Sequence, residues 1–525
     1  MSDTVPLSVP LSVVVLTRNE ASRLAICLES VSWADEILVV DDGSTDDTLA
    51  VARRYTDRIL QRRMDIEGRH RNWAYAQAKH DWILSLDADE RVSPELTEEI
   101  RMLFAQGPAF DVYAIPRRNY IGNRWIWHGG WYPSAQVKLF RRSLFRWEET
   151  TVHPRALTDR PWGTLKGDIL HYSYRDLADF AEKLNRQTTL EAQKWILDGR
   201  RMGARKALWR SIDRFVRAYW GKKGYRDGRI GFIVAVFGGM YQFLSFAKYW
   251  HLKQEETGEE RTTTTLSPLP PASRTTLSVV ILTKNEASQI AQCLEKVRWA
   301  DEIIVVDGES SDGTPEICRS YGAKVITHRF EGDFGQERNI GNAQATKDWI
   351  LQLDADDRVT PEFREAVEKM LIDSTPHAAF RFRRRNCFLG HWMRYGGWYH
   401  YSLHLFRRRK AFYQGRVHHD LIVDGSIGVL EAPVEHFPFQ SLEQFWSRQN
   451  RYTTLEAQEL LEKRGSILER ELAAQIRVRP AKLFWKLFVK KQGFREGMIG
   501  LVFCVLYSFV HFLKWAKVWE GEGRA

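Results

Sequence analysis

The sequence predicts an α/β protein made of two tandem Rossmann-like domains with mainly parallel sheets, each followed by basic amphipathic and apolar helices. Three observations predict it. Short apolar runs of strand length end in acidic turns and alternate with helical patterns, as parallel βαβ units do. The whole pattern breaks off in a Pro- and Thr-rich stretch and starts again at Ser278. Each copy is trailed by a segment in which Arg and Lys alternate with Trp, Phe and Leu before the chain turns almost wholly apolar.

Ser12-Val13-Val14-Val15-Leu16-Thr17 reads as a fully buried first strand, and Arg18-Asn19-Glu20-Ala21-Ser22 as the turn into a helix. Ile37-Leu38-Val39-Val40 is a second strand, ending in Asp41-Asp42-Gly43-Ser44. Carboxylates at Asp41 or Asp42 can accept hydrogen bonds from a base or ribose, as acidic strand ends do in dinucleotide folds. Plain turn chemistry explains the same residues equally well. Gly68-Arg69-His70-Arg71-Asn72 follows on a helix, where an Arg can neutralise a diphosphate.

The next strand organises the copy. Trp82-Ile83-Leu84-Ser85-Leu86 runs straight into Asp87-Ala88-Asp89-Glu90 and delivers two carboxylates to the carboxyl edge of the sheet, where open α/β folds bind ligands. Such a pair suits a hard cation, Mg²⁺ or Mn²⁺, that neutralises a departing diphosphate. One isolated Asp-x-Asp is more often a solvated loop that caps the next helix, here at Ser93-Pro94-Glu95. Recurrence decides the matter. Trp349-Ile350-Leu351-Gln352-Leu353-Asp354-Ala355-Asp356-Asp357 repeats the pattern.

Beyond the carboxylates, Trp127-His128-Gly129-Gly130-Trp131-Tyr132 sets glycines between large aromatics, either a wall for a sugar ring or a tight turn under aromatics. Val152-His153-Pro154, His171-Tyr172 and a helix carrying Asn185-Arg186-Gln187-Thr188-Thr189 complete the copy. Residues 199–229 are basic and aromatic at helical spacing, which reads as membrane-surface seeking. Residues 230–250 border on transmembrane length, and Gly238-Gly239 favours a helical hairpin or interfacial wedge over a span. A helix packed on its own domain is the competing reading. The predicted boundaries are 1–198 for the first domain, 199–254 for its tail, 255–274 for the linker, 275–464 for the second domain and 465–525 for its tail.

The second copy is close to the first. Ser278-Val279-Val280-Ile281-Leu282-Thr283-Lys284-Asn285-Glu286, Ile303-Ile304-Val305-Val306-Asp307, Arg338-Asn339, Tyr395-Gly396-Gly397-Trp398, Val417-His418-His419-Asp420 and Arg451-Tyr452-Thr453-Thr454 match their counterparts in order.

Composition narrows the partners. At 525 residues the chain exceeds one ordinary core. A formal charge of +10 and an isoelectric point near 9.2 point to an anionic partner. Basic residues interleaved with apolar ones, and no nucleic-acid motif, favour an anionic membrane surface and exclude nucleic acid. The 20 Trp suit a membrane interface or a carbohydrate site as well as a core. The five Cys lack metal spacing, and Cys27 and Cys293 sit on equivalent apolar helix faces, which predicts buried free thiols. The first residues lack a basic region followed by a long apolar core, so no secretory signal is expected and a cytosolic face is implied.

Taken in order, Thr-Arg/Lys-Asn-Glu after the first strand, Val-Val-Asp after the second, Arg-Asn before the last and Leu-Asp-Ala-Asp resemble the family-2 inverting glycosyltransferases of GT-A fold, through both halves. Gly-Gly-Trp-Tyr, Leu-Phe-Arg-Arg, Val-His and Leu-Lys-Gly-Asp-Ile-Leu-His-Tyr-Ser are similar to the bacterial lipopolysaccharide core β-glucosyltransferases. The resemblance implies that Thr17, Glu20, Asp41 and Asp42 line a nucleotide pocket, Arg71 approaches the diphosphate, Asp87 binds the sugar nucleotide and Asp89 the metal. In the second copy the roles fall to Thr283, Glu286, Asp307, Arg338 and Asp354, with Asp356 on the metal. Two departures stand out. Asp42 is matched by Gly308, and the subfamily's Val-His-Glu is replaced in both copies. An inverting displacement needs a base beside the acceptor hydroxyl. By position this falls to His153 in the first copy and to His418, His419 or Asp420 in the second, although a lone His is more often a structural hydrogen-bonder.

The implied activity is transfer of a hexose, foremost glucose from UDP-glucose, to a lipopolysaccharide-core or other lipid-linked acceptor at the cytoplasmic face of a bacterial inner membrane. Transfer to a polyprenyl phosphate, or one catalytic copy beside a non-catalytic docking copy, are the alternatives.

Overall fold

The computed structural model describes residues 8–150, 155–255, 274–373, 375–415, 420–465 and 467–523. The chain forms two compact units, Met1–Tyr249 and Trp250–Ala525.

In the first unit, seven strands among the described residues form one sheet in the order Gly163–Thr164, Val112–Ile115, Gln136–Arg141, Trp82–Asp87, Leu11–Thr17, Glu36–Asp41 and Ile59–Gln61. The last four in that order are mutually parallel, and Gln136–Arg141 enters antiparallel. Leu11–Thr17 is buried on both faces because its alternating side chains serve two cores. Val13 and Val15 pack with Leu24, Cys27 and Leu28, and Val14 packs with Ile83, Tyr75 and Phe140 on the other side. A parallel sheet covered on both faces tolerates this unbroken apolar run. Register then fixes the site. Thr17 lies opposite Asp41 and Leu16 opposite Asp87, so the three strands end together at one edge.

The second unit repeats the parallel core, with Thr283 opposite Asp307 and Leu282 opposite Asp354. Its outer strands are longer. Ala379–Phe388 and Ile427–Phe439 pair along their length and join Asp357–Val359 to the main sheet. In the first unit the corresponding strands form a separate small sheet, Glu90–Val92, Ile169–Tyr174, Arg117–Ile121 and Arg124–Trp125. All five Cys are buried, as expected of thiols on apolar faces.

The tails correct one expectation. Gly228–Glu255 is a continuous helix through Gly238-Gly239, so the glycine pair makes no hairpin. The reversal comes earlier. The helix Ala204–Val216 passes through a π-helical turn at Arg217–Gly221 and a 3₁₀ turn at Gly224–Asp227, and the chain doubles back at Lys223 and Gly228, both at positive φ. The glycines serve close packing instead. A Cβ on Gly239 would meet the Ser211 carbonyl oxygen at 2.9 Å.

Both apolar helices are long and apolar enough to cross a membrane, yet 72% and 56% of their most apolar stretches are buried within the structure. In the first unit Phe237 stacks on Phe180 of the helix Leu177–Leu197 at 4.2 Å. A buried lysine locks the contact. Lys248 Nζ donates to the Asn185 carbonyl and Oδ1, both at 2.6 Å, and to Thr189 Oγ1 at 2.7 Å. In the second unit Lys517 Nζ, on the helix Gly497–Glu522, does the same to Asn450 O and Oδ1, Thr453 and Thr454 at 2.6–2.9 Å. A charge withdrawn from water is tolerated only where every proton is accepted. Replacing Lys517 with Met should destabilise the second unit by about 3 kcal/mol, the scale of hydrogen bonds to a buried charge. An earlier unfolding transition in urea checks this, and an unshifted one would mean that the helix docks without the lysine.

Candidate functional site

Each unit gathers its polar residues at the carboxyl edge of the parallel strands. In the first, Thr17 is buried and its Oγ1 has no hydrogen-bond partner among the described residues. Asp41 is buried and accepts from the Ser44 amide at 2.9 Å and from the Ser44 hydroxyl. Asp42 accepts from the Met64 amide at 2.7 Å and pairs with Arg18 at 3.1 Å. The second unit copies the first two: Thr283 Oγ1 is buried and unpartnered among the described residues, and Asp307 accepts from Ser310 N and Oγ at 3.0 and 2.6 Å. At the third position Gly308 has no side chain to offer.

The first aspartate of each Asp-x-Asp lies between two cations. Asp87 pairs with Arg71 at 3.0 Å and Lys138 at 3.2 Å. Burial alone would raise its carboxyl, and Arg71 and Lys138 reverse that and hold it well below the usual range. Asp354 pairs with Arg338 at 2.7 Å and Arg384 at 2.9 Å, with the same balance of burial against two guanidinium groups. Arg71 and Arg338 thus sit on the aspartate, at the place from which a diphosphate would be met. The second cation differs. Lys138 stands on the strand Gln136–Arg141, whereas Arg384 stands on Ala379–Phe388 and also binds Asp357 at 2.8 Å. Arg384 comes from the basic run 381–385 and is turned inward.

The second aspartate of each pair faces a histidine. His171 Nε2 lies 3.6 Å from Asp89, and His436 Nε2 lies 3.5 Å from Asp356 Oδ1. In both units the other ring nitrogen is held by an asparagine, His171 Nδ1 by Asn119 at 2.7 Å and His436 Nδ1 by Asn386 at 2.6 Å. Asn119 spends its amide protons on Trp131 O and Ser134 Oγ, so its Oδ1 accepts from the imidazole. Nδ1 therefore carries a proton, and Nε2 is the ring nitrogen that faces the aspartate. Asp356 Oδ1 is buried, and among the described residues no hydrogen bond reaches it. A carboxylate oxygen left over beside an imidazole nitrogen is a donor set that can hold a divalent cation, so these residues fit Mg²⁺ or Mn²⁺. Asp356, Asp357 and His436 form a cluster whose ligand atoms lie within 4.8 Å of one another. Asp357 is already taken by Arg384, which leaves Asp356 and His436 as the pair.

Glu20 and Glu286, from the turn after the first strand, stand beside this pair. Burial raises both carboxyls, opposed chiefly by Arg23 and Arg448. In the second unit Thr283, Glu286, Arg338, Asp354, Asp356 and His436 line one cavity of about 630 Å³, which Trp398 also walls. The aromatic glycine turns are held by the tails, Gly129 N donating to Lys222 O at 2.9 Å and Gly396 N to Lys491 O at 2.8 Å.

Of the four candidate bases, His153, His418 and His419 lie outside the described residues. Asp420 opens the exposed strand Asp420–Val423, paired with Ala411–Gln414, and is not among the residues lining the cavity. Sequence reasoning left His171, His436, Lys138, Arg384, Arg23 and Arg448 without a role. The signal for the histidines was present, since each sits at the equivalent place of the duplication, but no local spacing ties either to an aspartate about 80 residues earlier.

The model of glycosyl transferase family 2 matches residues 12–161 and again 278–430. The chain is 29% identical over 248 residues to the lipopolysaccharide core biosynthesis glycosyltransferase LpsC of Rhizobium meliloti, covering 46% of this chain and 92% of that protein. It is 28% identical over 261 residues to an uncharacterized glycosyltransferase of Rickettsia felis, covering 47% and 90%. Among solved structures it is similar to S. aureus TarS 1-349 in complex with UDP-GlcNAc, at 14% identity and TM-score 0.27, covering 47% and 91%. It is also similar to the Mycobacterium tuberculosis glucosyl-3-phosphoglycerate synthase in complex with Mn²⁺, UDP and phosphoglyceric acid, at 17% identity and TM-score 0.26, covering 37% and 80%. With the family model matched twice, over more than half its length, the chain is a member of glycosyl transferase family 2 that carries the glycosyltransferase domain in duplicate.

Proposed function

We propose that each unit is a metal-dependent inverting hexosyltransferase, using UDP-glucose as donor and a lipopolysaccharide-core or other lipid-linked glycan as acceptor. The observation that carries the reading is the facing pair of an aspartate oxygen and an imidazole Nε2 at the strand edge, built twice. Asp89 with His171, and Asp356 with His436, would hold Mg²⁺ or Mn²⁺, which supplies charge neutralisation for a leaving diphosphate. Thr17 and Thr283 keep buried hydroxyls for a nucleotide, beside Asp41 and Asp307. The LpsC likeness, which runs over 92% of that protein, supports a core-oligosaccharide acceptor. Gly308 in place of Asp42 favours unequal sites, for instance two successive sugars added to one growing core.

The tails support work at the cytoplasmic face of a membrane. Their apolar helices are packed on their own units, so the surface for lipid is the preceding helix and its turns. There Trp209, Ile212 and Trp220 are 66%, 63% and 57% exposed, among exposed Arg205, Lys206, Arg214, Arg217, Lys222 and Lys223. The second tail exposes Trp485 and Phe494 among Lys482, Lys486, Lys490 and Arg495. Each basic residue near an anionic bilayer contributes about 1 kcal/mol.

Three outcomes are expected. EDTA abolishes transfer and Mn²⁺ or Mg²⁺ restores it; full activity in EDTA refutes the metal role. Mass analysis of products on a truncated core acceptor finds two additions in the wild type, with Asp89→Ala and Asp356→Ala blocking different steps. A fully wild-type Asp356→Ala enzyme would assign the second unit to docking instead. Sedimentation with phosphatidylglycerol vesicles retains the wild type at low salt, and Trp209→Ser/Trp220→Ser weakens retention several-fold; equal binding to neutral vesicles would refute the basic surface.

A further inference from the structure

The second aspartate of each pair is tied to the glutamate of the first turn by an arginine, and that arginine comes from a different helix in each unit. In the first unit it is Arg23, on the helix Ala21–Glu29 directly after the turn. It lies 3.6 Å from Glu20 and 3.7 Å from Asp89, with Nη1 also donating to Tyr172 O at 3.0 Å. In the second unit it is Arg448, far along the chain on the helix Leu442–Arg464. It binds Glu286 through one nitrogen, and Asp356 at 3.2 Å and Pro438 O at 3.0 Å through the other.

The two positions have exchanged residues. Aligning Glu20-Ala21-Ser22-Arg23 with Glu286-Ala287-Ser288-Gln289 puts Gln289 where the first unit has Arg23. Aligning Lys183-Leu184-Asn185 with Arg448-Gln449-Asn450 puts Lys183 where the second has Arg448. Neither replacement makes the bridge. Gln289 bonds Glu286 at 2.6 Å only. Lys183 donates to Ser173 O at 2.7 Å and pairs with Asp179. Ser173 and Pro438 each lie two residues beyond the histidine, so Lys183 and Arg448 leave their helices toward the same carbonyl. A lysine ends there as a point charge, while the planar fork of arginine carries on to both carboxylates.

We propose that this guanidinium is a positioning residue required by each site, supplied by Arg23 in the first unit and by Arg448 in the second. It holds the turn glutamate and the second aspartate in register and offsets one of two close carboxylates, so that the aspartate stays aimed at the histidine. The inference rests on the donor-site reading above. It also explains why Arg23 has no counterpart after the second Asn-Glu turn.

The test exchanges the helices. In full-length Asp89→Ala protein, which leaves the second site to be read, UDP binding with Mn²⁺ is followed by calorimetry and Mn²⁺ binding by electron paramagnetic resonance. Arg448→Lys, which keeps the charge but not the fork, should weaken Mn²⁺ in the presence of UDP by about 10- to 100-fold, the usual cost of losing a partner that orients a ligand. Gln289→Arg/Arg448→Lys, which installs the first unit's arrangement, should recover most of the loss. Unchanged or tighter Mn²⁺ binding in Arg448→Lys would overturn the proposal, as would failure of the double variant to recover in a protein that unfolds at the wild-type temperature. The reciprocal set, Arg23→Gln and Arg23→Gln/Lys183→Arg in Asp356→Ala protein, decides the question if an Arg448 variant does not fold. If the Asp89→Ala parent and the Asp356→Ala parent both bind no UDP with Mn²⁺, the donor-site reading itself fails, an outcome distinct from the loss of one bridge.

Discussion

A carboxylate placed at the end of a buried parallel strand has to be neutralised, and most of the site follows from how this protein does it. Asp87 and Asp354 leave the sheet where apolar packing ends, half-buried, and each is flanked by two cations. Removing either cation leaves the carboxylate's charge only partly offset. The helix Glu67–Ala76 and its counterpart Phe334–Gln344 are therefore tied to the strand by Arg71 and Arg338 as firmly as by packing. The carboxylate that follows, Asp89 or Asp356, is then presented at a fixed distance from the histidine.

The two units meet one electrostatic requirement with different residues. Lys138 serves Asp87 from one strand, and Arg384 serves Asp354 from another. At the residue matching Lys138 the second unit has His404, which bonds Tyr413 at 2.7 Å. Arg117, which matches Arg384, reaches Glu90 at 3.5 Å. Charge at a point in space is what the fold conserves between its halves. A long cationic side chain reaches that point from more than one backbone position, so duplication followed by drift can move the donor while the carboxylate stays.

The tails show burial overriding composition. Residues 230–250 carry a span-like composition, yet the helix is consumed as core by its own unit, and Lys248 makes sense only as a buried donor to Asn185 and Thr189. The amphipathic helix before it is left with the exposed aromatic and basic surface. Lys222 and Lys491 also hold the aromatic glycine turns, so in the second unit that surface is hydrogen-bonded to the turn whose Trp398 walls the cavity.

The sequence by itself determined the duplicated α/β architecture, the order of the parallel strands' motifs and the arrival of Thr17, Asp41 and Asp87 at one sheet edge. Those follow from apolar runs, acidic turns and the fixed geometry of parallel crossovers, all of them local or periodic signals. Only the tertiary structure decided which histidine faces which aspartate, which cation neutralises each carboxylate, and that Arg23 and Arg448 do one job from unrelated helices. It also decided that Gly238-Gly239 admits a neighbouring helix instead of ending its own. Each of these joins residues far apart in the chain through side chains of variable reach, and no spacing along the sequence encodes where such a side chain ends.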